Sequence, residues 1–525
     1  MDDTSLKSAP PAATFTHREI MVIMAGLMLG MFLAALDQTI LGAALPRIGS
    51  DLGGAQEISW VISAYLLSST AVTPIYGKLS DLYGRRLMLQ SAILIFITAS
   101  MLCGLAGSIS QLIAFRALQG VGGGGLLVLA QATLADVVSP RNRGKYQGYF
   151  AAMWLTASMI GPTLGGFFAD HLTWRWSFWL NIPLGLASLF VVQASLKALV
   201  VKRIRHKIDY LGGTLIVGAV TCLLLVTTLG GAGRSWTSPL ILGLIGGAIV
   251  LLGLAIFQER RAAEPILPPR LFRNRAFVVS NATCIFYSMA IIGSIVFMPS
   301  FLQMVYQMDA SRSGLVMIPF LIATPLTVII GGRIVAHTGR YKMLPILGLC
   351  IMMGGMATMH FVSSATPLVL SMTAMTIFGL GVGFLGPILI VSMQNSIDWR
   401  DMGAGTAAFN FFRNMGGSFG VTLFGTVLLA RLESLVGGLP VPPLPGDAEP
   451  GITLLHLGGK AVSSVPEAAR EGVTRAIEGA FNDMFLAGFI VAAIGLVIVL
   501  FMKEVPLKTV TAAAERAEAQ QNSQD

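Results

Sequence analysis

Gly77-Lys-Leu-Ser-Asp81-Leu-Tyr-Gly84-Arg85-Arg86 joins two apolar runs, 58–76 and 87–107, each long enough to cross a bilayer. The glycines permit a tight reversal. Asp81 can cap a helix or face the positive N-terminus of another. Arg85 and Arg86 can pair with that acid or with lipid phosphate. Charge pattern alone leaves a plain basic loop equally open.

Working outward, the stretch has an echo. Gly332-Arg-Ile-Val-Ala336-His-Thr-Gly339-Arg340 follows the tenth apolar run, and Gly120-Val-Gly122 in the fourth run matches Gly381-Val-Gly383 in the twelfth. The offsets are similar, which predicts a duplicated six-helix unit with two helices inserted between the copies. Residues 210–257 would be that insertion. They carry no buried acid or base, so they are expected to be packing or lipid-facing spacers.

A spanning helix needs about 20 apolar residues. That rule gives about fourteen spans, near 20–45, 58–76, 87–107, 111–135, 146–168, 176–199, 210–230, 239–257, 277–304, 314–334, 343–362, 367–393, 404–430 and 484–502. The fold expected is therefore an all-α polytopic membrane protein of two six-helix bundles plus two inserted helices. Residues 1–19 form an N-terminal segment, 20–199 the first bundle, 200–276 the insertion with its flanking loops, 277–505 the second bundle, and 506–525 a tail. The long loop 431–483 is expected outside. Within it, Ser464-Val-Pro-Glu467 looks like a capped helix start. Val473, Ile477 and Phe481 predict a short amphipathic helix feeding the last span.

Composition agrees. The chain has 54% hydrophobic and 12% charged residues, with a mean hydropathy of +0.74. Soluble domains carry about 25% charged residues, so that class is excluded. The net charge of +9 does not point to nucleic acid. Basic residues cluster between alternate runs, as in Arg141/Arg143/Lys145, Lys202/Arg203/Arg205/Lys207 and Arg340/Lys342, while the other loops offer mainly Arg47, Arg175, Arg234 and Arg312. That is the positive-inside pattern, and it puts both termini in the cytoplasm. A bacterial cytoplasmic (inner) membrane is the expected location. Cys103, Cys222, Cys284 and Cys350 all lie in apolar runs and suggest no disulfide framework. No cleavable signal pattern precedes the first span.

Asp37 is the only acid in the run Ile20–Leu45. A carboxylate at such depth costs on the order of 3 kcal/mol and usually marks an ion or proton path; the alternative is a protonated carboxyl bonded to a neighbouring helix. Arg116 lies about 8 Å from the outer end of the fourth helix and Asp37 about 12 Å from the outer end of the first, so the two can meet. They can form a proton-exchanging pair or a static one. Pro162, with Gly161, can bend the fifth helix, and the small residues Gly161, Gly165 and Gly166 allow tight packing. Arg413 falls about 14 Å into the thirteenth helix, near the midplane, beside Asn414. It can bind a polar substrate group or hold backbone carbonyls. Further candidates for a substrate cavity are Gln38, Tyr65, Trp154, Tyr287, Gln303 and Gln394. Each of these can equally be an ordinary helix contact. Gly120–Gly125 formally matches a dinucleotide fingerprint, and Gly416-Gly-Ser418-Phe-Gly420 a hydrolase elbow. Both lack the strand–turn–helix setting. There is no Walker A sequence, so ATP is not expected to drive the protein directly; an enzyme, a cofactor and a metal site are not expected either.

The decapeptide resembles the cytoplasmic gate motif of the major facilitator superfamily, carried here by Gly77, Asp81, Gly84, Arg85 and Arg86. Leu36-Asp37-Gln38-Thr39 with Ala44-Leu45-Pro46 is similar to the first-helix motif of its fourteen-helix drug:proton antiporters. Arg116-Ala-Leu-Gln119-Gly120-Val-Gly122 resembles their fourth-helix motif. Gly161-Pro162-Thr-Leu-Gly165-Gly166 resembles their fifth-helix antiporter motif. Trp174-Arg175-Trp176-Ser-Phe-Trp-Leu-Asn181-Ile-Pro183 resembles the entry to the sixth helix. The resemblance covers roughly residues 20–505. It implies proton-driven efflux of small amphipathic compounds across the bilayer, with Asp37 and Arg116 in proton coupling. Ala336 departs from the pattern, because an acid is expected at that place in the second gate motif. Export of an endogenous metabolite or lipid is the alternative, with a nutrient symporter or a non-transporting sensor further behind.

Overall fold

The computed structural model describes residues 16–53, 57–196, 209–231, 236–262, 264–437, 454, 467–512 and 514–515. Among these, every regular element is helical. The first half holds α1 (His17–Leu52), α2 (Ser59–Tyr83), α3 (Arg85–Gly104), α4 (Ile109–Val137), α5 (Pro140–His171), the single turn α6 (Trp176–Trp179) and α7 (Asn181–Ser195). Then come α8 (Tyr210–Gly231) and α9 (Pro239–Glu259). The second half holds α10 (Arg275–Val305), α11 (Ala310–Val316), α12 (Ile318–Thr338), α13 (Met343–His360), α14 (Leu368–Gly383), α15 (Gly386–Ser396), α16 (Met402–Val436) and α17 (Glu467–Leu500).

Helix starts follow local chemistry. Thr16 Oγ1 accepts from the Glu19 amide at 3.3 Å while the Glu19 carboxylate accepts from the Thr16 amide at 2.8 Å, a capping box that opens α1. Ser108 and Asn274 cap α4 and α10 more simply, their side chains accepting from amides of the first turn. Gly84 alone separates α2 from α3, at φ +90° and ψ 150°, a conformation that strains any residue with a Cβ.

Each half has its own core. Leu33, Phe96, Leu129 and Phe150 are buried among α1, α3, α4 and α5. Phe301, Met352, Phe378 and Phe485 are buried among α10, α13, α14 and α17. The duplicated glycines do the same job twice. A Cβ on Gly122 would meet the Ala92 carbonyl of α3 at 2.7 Å, and one on Gly381 would meet the Gly348 carbonyl of α13 at 2.5 Å. Both positions let helix backbones touch.

Among the described residues, twelve helices are long and apolar enough to cross a membrane. The expected fourteen are met in part. α2 and α5 occupy the expected second and fifth spans and are long enough, but they fall outside that set. The reason lies in their packing. α2 lies on α16 and α5 on α12 across the contact between the halves, so part of their surface meets protein and carries polar side chains such as Lys78, Asp81 and Arg143. The expected short amphipathic helix is instead one piece with the last span in α17, and Val473, Ile477 and Phe481 are buried in the second core. The proposed cap at 464–466 lies outside the described residues. α8 packs on α2 and α16, whereas α9 leaves Ile249, Val250 and Phe257 exposed.

Candidate functional site

Asp37 is 2% exposed and Arg116 1%. Arg116 Nη1 donates to Asp37 Oδ2 at 2.6 Å. Asp37 Oδ1 accepts from Gln119 Nε2 at 2.8 Å and from Asn181 Nδ2 at 2.7 Å. Two helices deliver these donors. Arg116 and Gln119 sit one turn apart on α4, on the same face. Asn181 opens α7 directly after the break at Leu180. Arg116 is fixed further by the Val61 carbonyl at 3.1 Å and by the Tyr65 ring, 4.4 Å from its guanidinium carbon. A buried carboxylate so surrounded is fully hydrogen-bonded when ionised. Removing one partner of such a pair costs about 3–5 kcal/mol.

Of the expected cavity residues, Tyr65 and the adjoining Gln38 lie beside this cluster. Asn414 reaches Thr70 of α2 across the two halves at 3.5 Å, and Trp154 packs on the first core. Arg413 is half-buried near Cys284 and Tyr287. Three candidates sit elsewhere. Tyr287 is buried in the second core. Gln303 bonds Ser313 near the far end of α10 at 3.4 Å. Gln394 accepts from Arg143 at 3.2 Å and donates to Thr406 at 2.9 Å, in the contact between the halves.

That contact is tight at the basic end of the bundle. Asp81 accepts from the amides of Gly403 and Ala404, both at 3.0 Å, at the N-terminus of α16. Arg85 pairs with Asp81 at 2.7 Å and with Asp136 at 2.8 Å. Backbone meets backbone here. A Cβ on Gly77 would lie 2.6 Å from the Gly403 carbonyl, and one on Gly332 2.2 Å from the Gly144 carbonyl. The second gate motif, which lacks an acid at Ala336, is used differently. Its helix end presents the carbonyls of Ala336 and His337 to Arg141 at 3.0 and 3.3 Å. One seam thus sets a carboxylate on a helix N-terminus, the other a guanidinium on a helix C-terminus. Arg86 makes no such pair, and its Nε lacks a hydrogen-bond partner among the described residues.

In α5, a Cβ on Gly161 would meet Thr39 Oγ1 at 2.0 Å and one on Gly165 the Ile40 carbonyl at 2.2 Å, while Gly166 has open space. The helix runs unbroken through Pro162. Thr39 Oγ1 donates to the Ala157 carbonyl at 3.0 Å, which ties α1 to α5 where the proline loosens the ladder. At the other end of the bundle, Trp174 Nε1 and Arg175 donate to Asp51 at 2.8 and 3.2 Å. The Trp174 indole, then Arg175, hold the Asp51 carboxyl below the usual carboxylate range.

Gln119 and Asn181 were legible as parts of motifs, though not as ligands of Asp37. Asp136 was missed: it follows an apolar run as an ordinary helix-end acid, and its partner is 51 residues away. Among the described residues no group of three or more His, Cys, Asp and Glu could hold a metal ion. A groove of about 1050 Å³ lies between α5 and α12 at the basic end, bordered by Lys145, Tyr146, Arg333 and His337, apart from the Asp37 cluster.

A helical membrane protein whose two halves repeat a glycine pattern, with an acid–base pair buried inside the first of them, has the form of a carrier. Residues 27–421 match the family model described as Major Facilitator Superfamily, and the chain belongs to that superfamily. It is a multi-pass membrane transporter, not an enzyme. It is 36% identical to the multidrug transporter protein MdtP of Bacillus subtilis, over 96% of each chain. It is 32% identical to multidrug resistance protein 3 of the same organism, over 94% of this chain and 97% of that one. The proton:xylose symporter XylE shares the fold, with a TM-score of 0.61 and 13% identity over 96% of this chain and all of that one.

Proposed function

We propose that this protein is a proton-coupled antiporter that exports small amphipathic compounds by alternating access. It has fourteen spans, with α2 and α5 completing the twelve apolar ones, and the basic end in the cytoplasm with both termini. The domain limits are 20–199, 200–276 and 277–505. The observation that carries this reading is the buried Asp37 carboxylate, held by Arg116, Gln119 and Asn181. A proton arriving from outside neutralises Asp37 and removes its charge pairing with Arg116. Proton and substrate must then favour different states of the carrier or compete for one. The multidrug names of relatives similar over nearly the whole chain support the substrate class.

The closed basic end corresponds to a carrier shut toward the cytoplasm. Asp81 on the α16 N-terminus would hold that state, and Arg85, Gly77 and Gly84 would shape it. The test is transport in proteoliposomes with an imposed pH gradient. Asp37→Asn is expected to abolish gradient-driven efflux of cationic dyes while leaving the protein folded. Gradient-driven transport retained by that variant would overturn the reading.

A further inference from the structure

The two inserted helices leave an exit segment, Glu264–Arg273, that the mechanism above does not use. It contains Pro265, Pro268 and Pro269, which fix φ at three of its positions and stiffen it. Its two ends are anchored on different halves. At its start, Lys78 of α2, 7% exposed, pairs with Glu264 at 2.5 Å. Ile266 is buried among Ala71 of α2, Val220 of α8 and Phe411 of α16. Glu259 at the end of α9 accepts from the Leu267 amide at 3.0 Å, which fixes the segment on the inserted pair. At its far end, Arg270 grips Asp401 with two bonds, at 2.9 and 2.7 Å. Leu271 is buried in the second core, and Asn274 donates to the Ser396 carbonyl at 2.6 Å.

Asp401 stands two residues before Gly403, whose amide donates to Asp81. Asp81 in turn lies three residues from Lys78 on the same face of α2. The contacts therefore close a ring, from Lys78 to Glu264, along the proline-rich segment to Arg270 and Asp401, through Gly403 to Asp81, and back. Opening the seam at the basic end moves α2 away from α16 and must break the ring. Among the described residues, Lys78–Glu264 is an ion pair that joins α2 to the segment.

We propose that the segment Glu264–Arg273 is a strap by which the inserted helix pair latches the closed basic end. Lys78, Glu264, Arg270 and Asp401 act as positioning residues for the gate. The proposal rests on the alternating-access reading, but its test needs neither substrate nor a proton gradient. The full chain, with its four native cysteines replaced by alanine, is spin-labelled through Tyr83→Cys and Arg400→Cys, both on exposed positions flanking the seam. Distances are measured by pulsed electron paramagnetic resonance in lipid nanodiscs. Lys78→Gln and Glu264→Gln are each expected to raise the ratio of long to short distances about fivefold, the upper range for a partly exposed ion pair. The double variant should go no further than either single one. The exchanged pair Lys78→Glu/Glu264→Lys should restore the short distance.

Arg270→Gln, which frees the other end of the strap, should act in the same sense and carries the test if a Lys78 variant does not fold. Unchanged distances in folded single variants, additive effects in the double variant, or an exchanged pair that stays open would each overturn the latch. Loss of the latch effect with dye efflux intact would refute the strap alone. A working latch in a protein that moves no dye would refute the efflux reading alone.

Discussion

Adding a single methyl group at the seam should hold the basic end open. A Cβ on Gly77 would sit 2.3 Å from the Ala407 Cβ and 2.6 Å from the Gly403 carbonyl, and a Cβ on Gly332 would sit 2.2 Å from the Gly144 carbonyl. Ordinary carbon contacts lie at about 3.5–4.0 Å, so each added methyl must push its helices apart by roughly 1 Å or more. Overpacking of this kind costs about 1–3 kcal/mol. The cost falls only on the closed arrangement, because an open seam lacks the contact. The gain in helix propensity from glycine to alanine is present in both arrangements and cancels. A middle value of about 2 kcal/mol shifts the ratio of open to closed about thirtyfold. Gly77→Ala acts on α2 against α16 and Gly332→Ala on α12 against α5, with no shared neighbour, so their effects should add. The assay is the rate at which a membrane-impermeant maleimide, applied to the cytoplasmic face of inside-out vesicles, modifies Gln131→Cys in the cysteine-free protein. Gln131 bonds Asn410 across the halves at 2.8 Å and is covered by the closed seam. Labelling should quicken in each single variant and more in the double one. Rates unchanged in a folded double variant would refute the argument that these backbone contacts hold the seam.

Other expectations follow from the same residues. Arg85→Ala leaves Asp81 and Asp136 buried together without their cation, and should lower stability by about 3–5 kcal/mol. Adding Asp136→Asn should recover part of the loss, and equal melting temperatures for the single and double variants would count against the pairing. Asp51 has its folded value depressed by Trp174 and Arg175. Its contribution to stability should therefore be complete above the ordinary carboxylate value of about 4 and fade as pH falls through the folded value. Asp51→Asn should lower the melting temperature at pH 7 and make no difference at the acid end. A deficit that persists unchanged into acid would contradict this.

Much of the fold was legible because the bilayer leaves few choices. Apolar runs of sufficient length, basic clusters at alternate ends and a repeated glycine pattern lead to two related helical halves. The depth of Asp37 and Arg116 could be counted along helices, and the two do meet. What the pattern concealed was lateral. Nothing local tells that Asn181, just past a helix break, points to Asp37, or that Asp136 shares Arg85 with Asp81. Gln394 reads as a cavity candidate at the very end of the twelfth span, yet the fold delivers it to Arg143. The polarity of α2 and α5 had the same origin: a face that meets another helix need not be oily.

The lone residue between α2 and α3 has a mechanical meaning. With Gly84 as the whole joint, the two helices have no slack with which to slide past one another. A swing of α2 must drag α3 along, and α3 bears on α4 through touching backbones at Gly122 and on α7 through Ile97 laid over Gly185. Force applied at one corner of the first half is thereby spread across it, so that half should turn as a single lever.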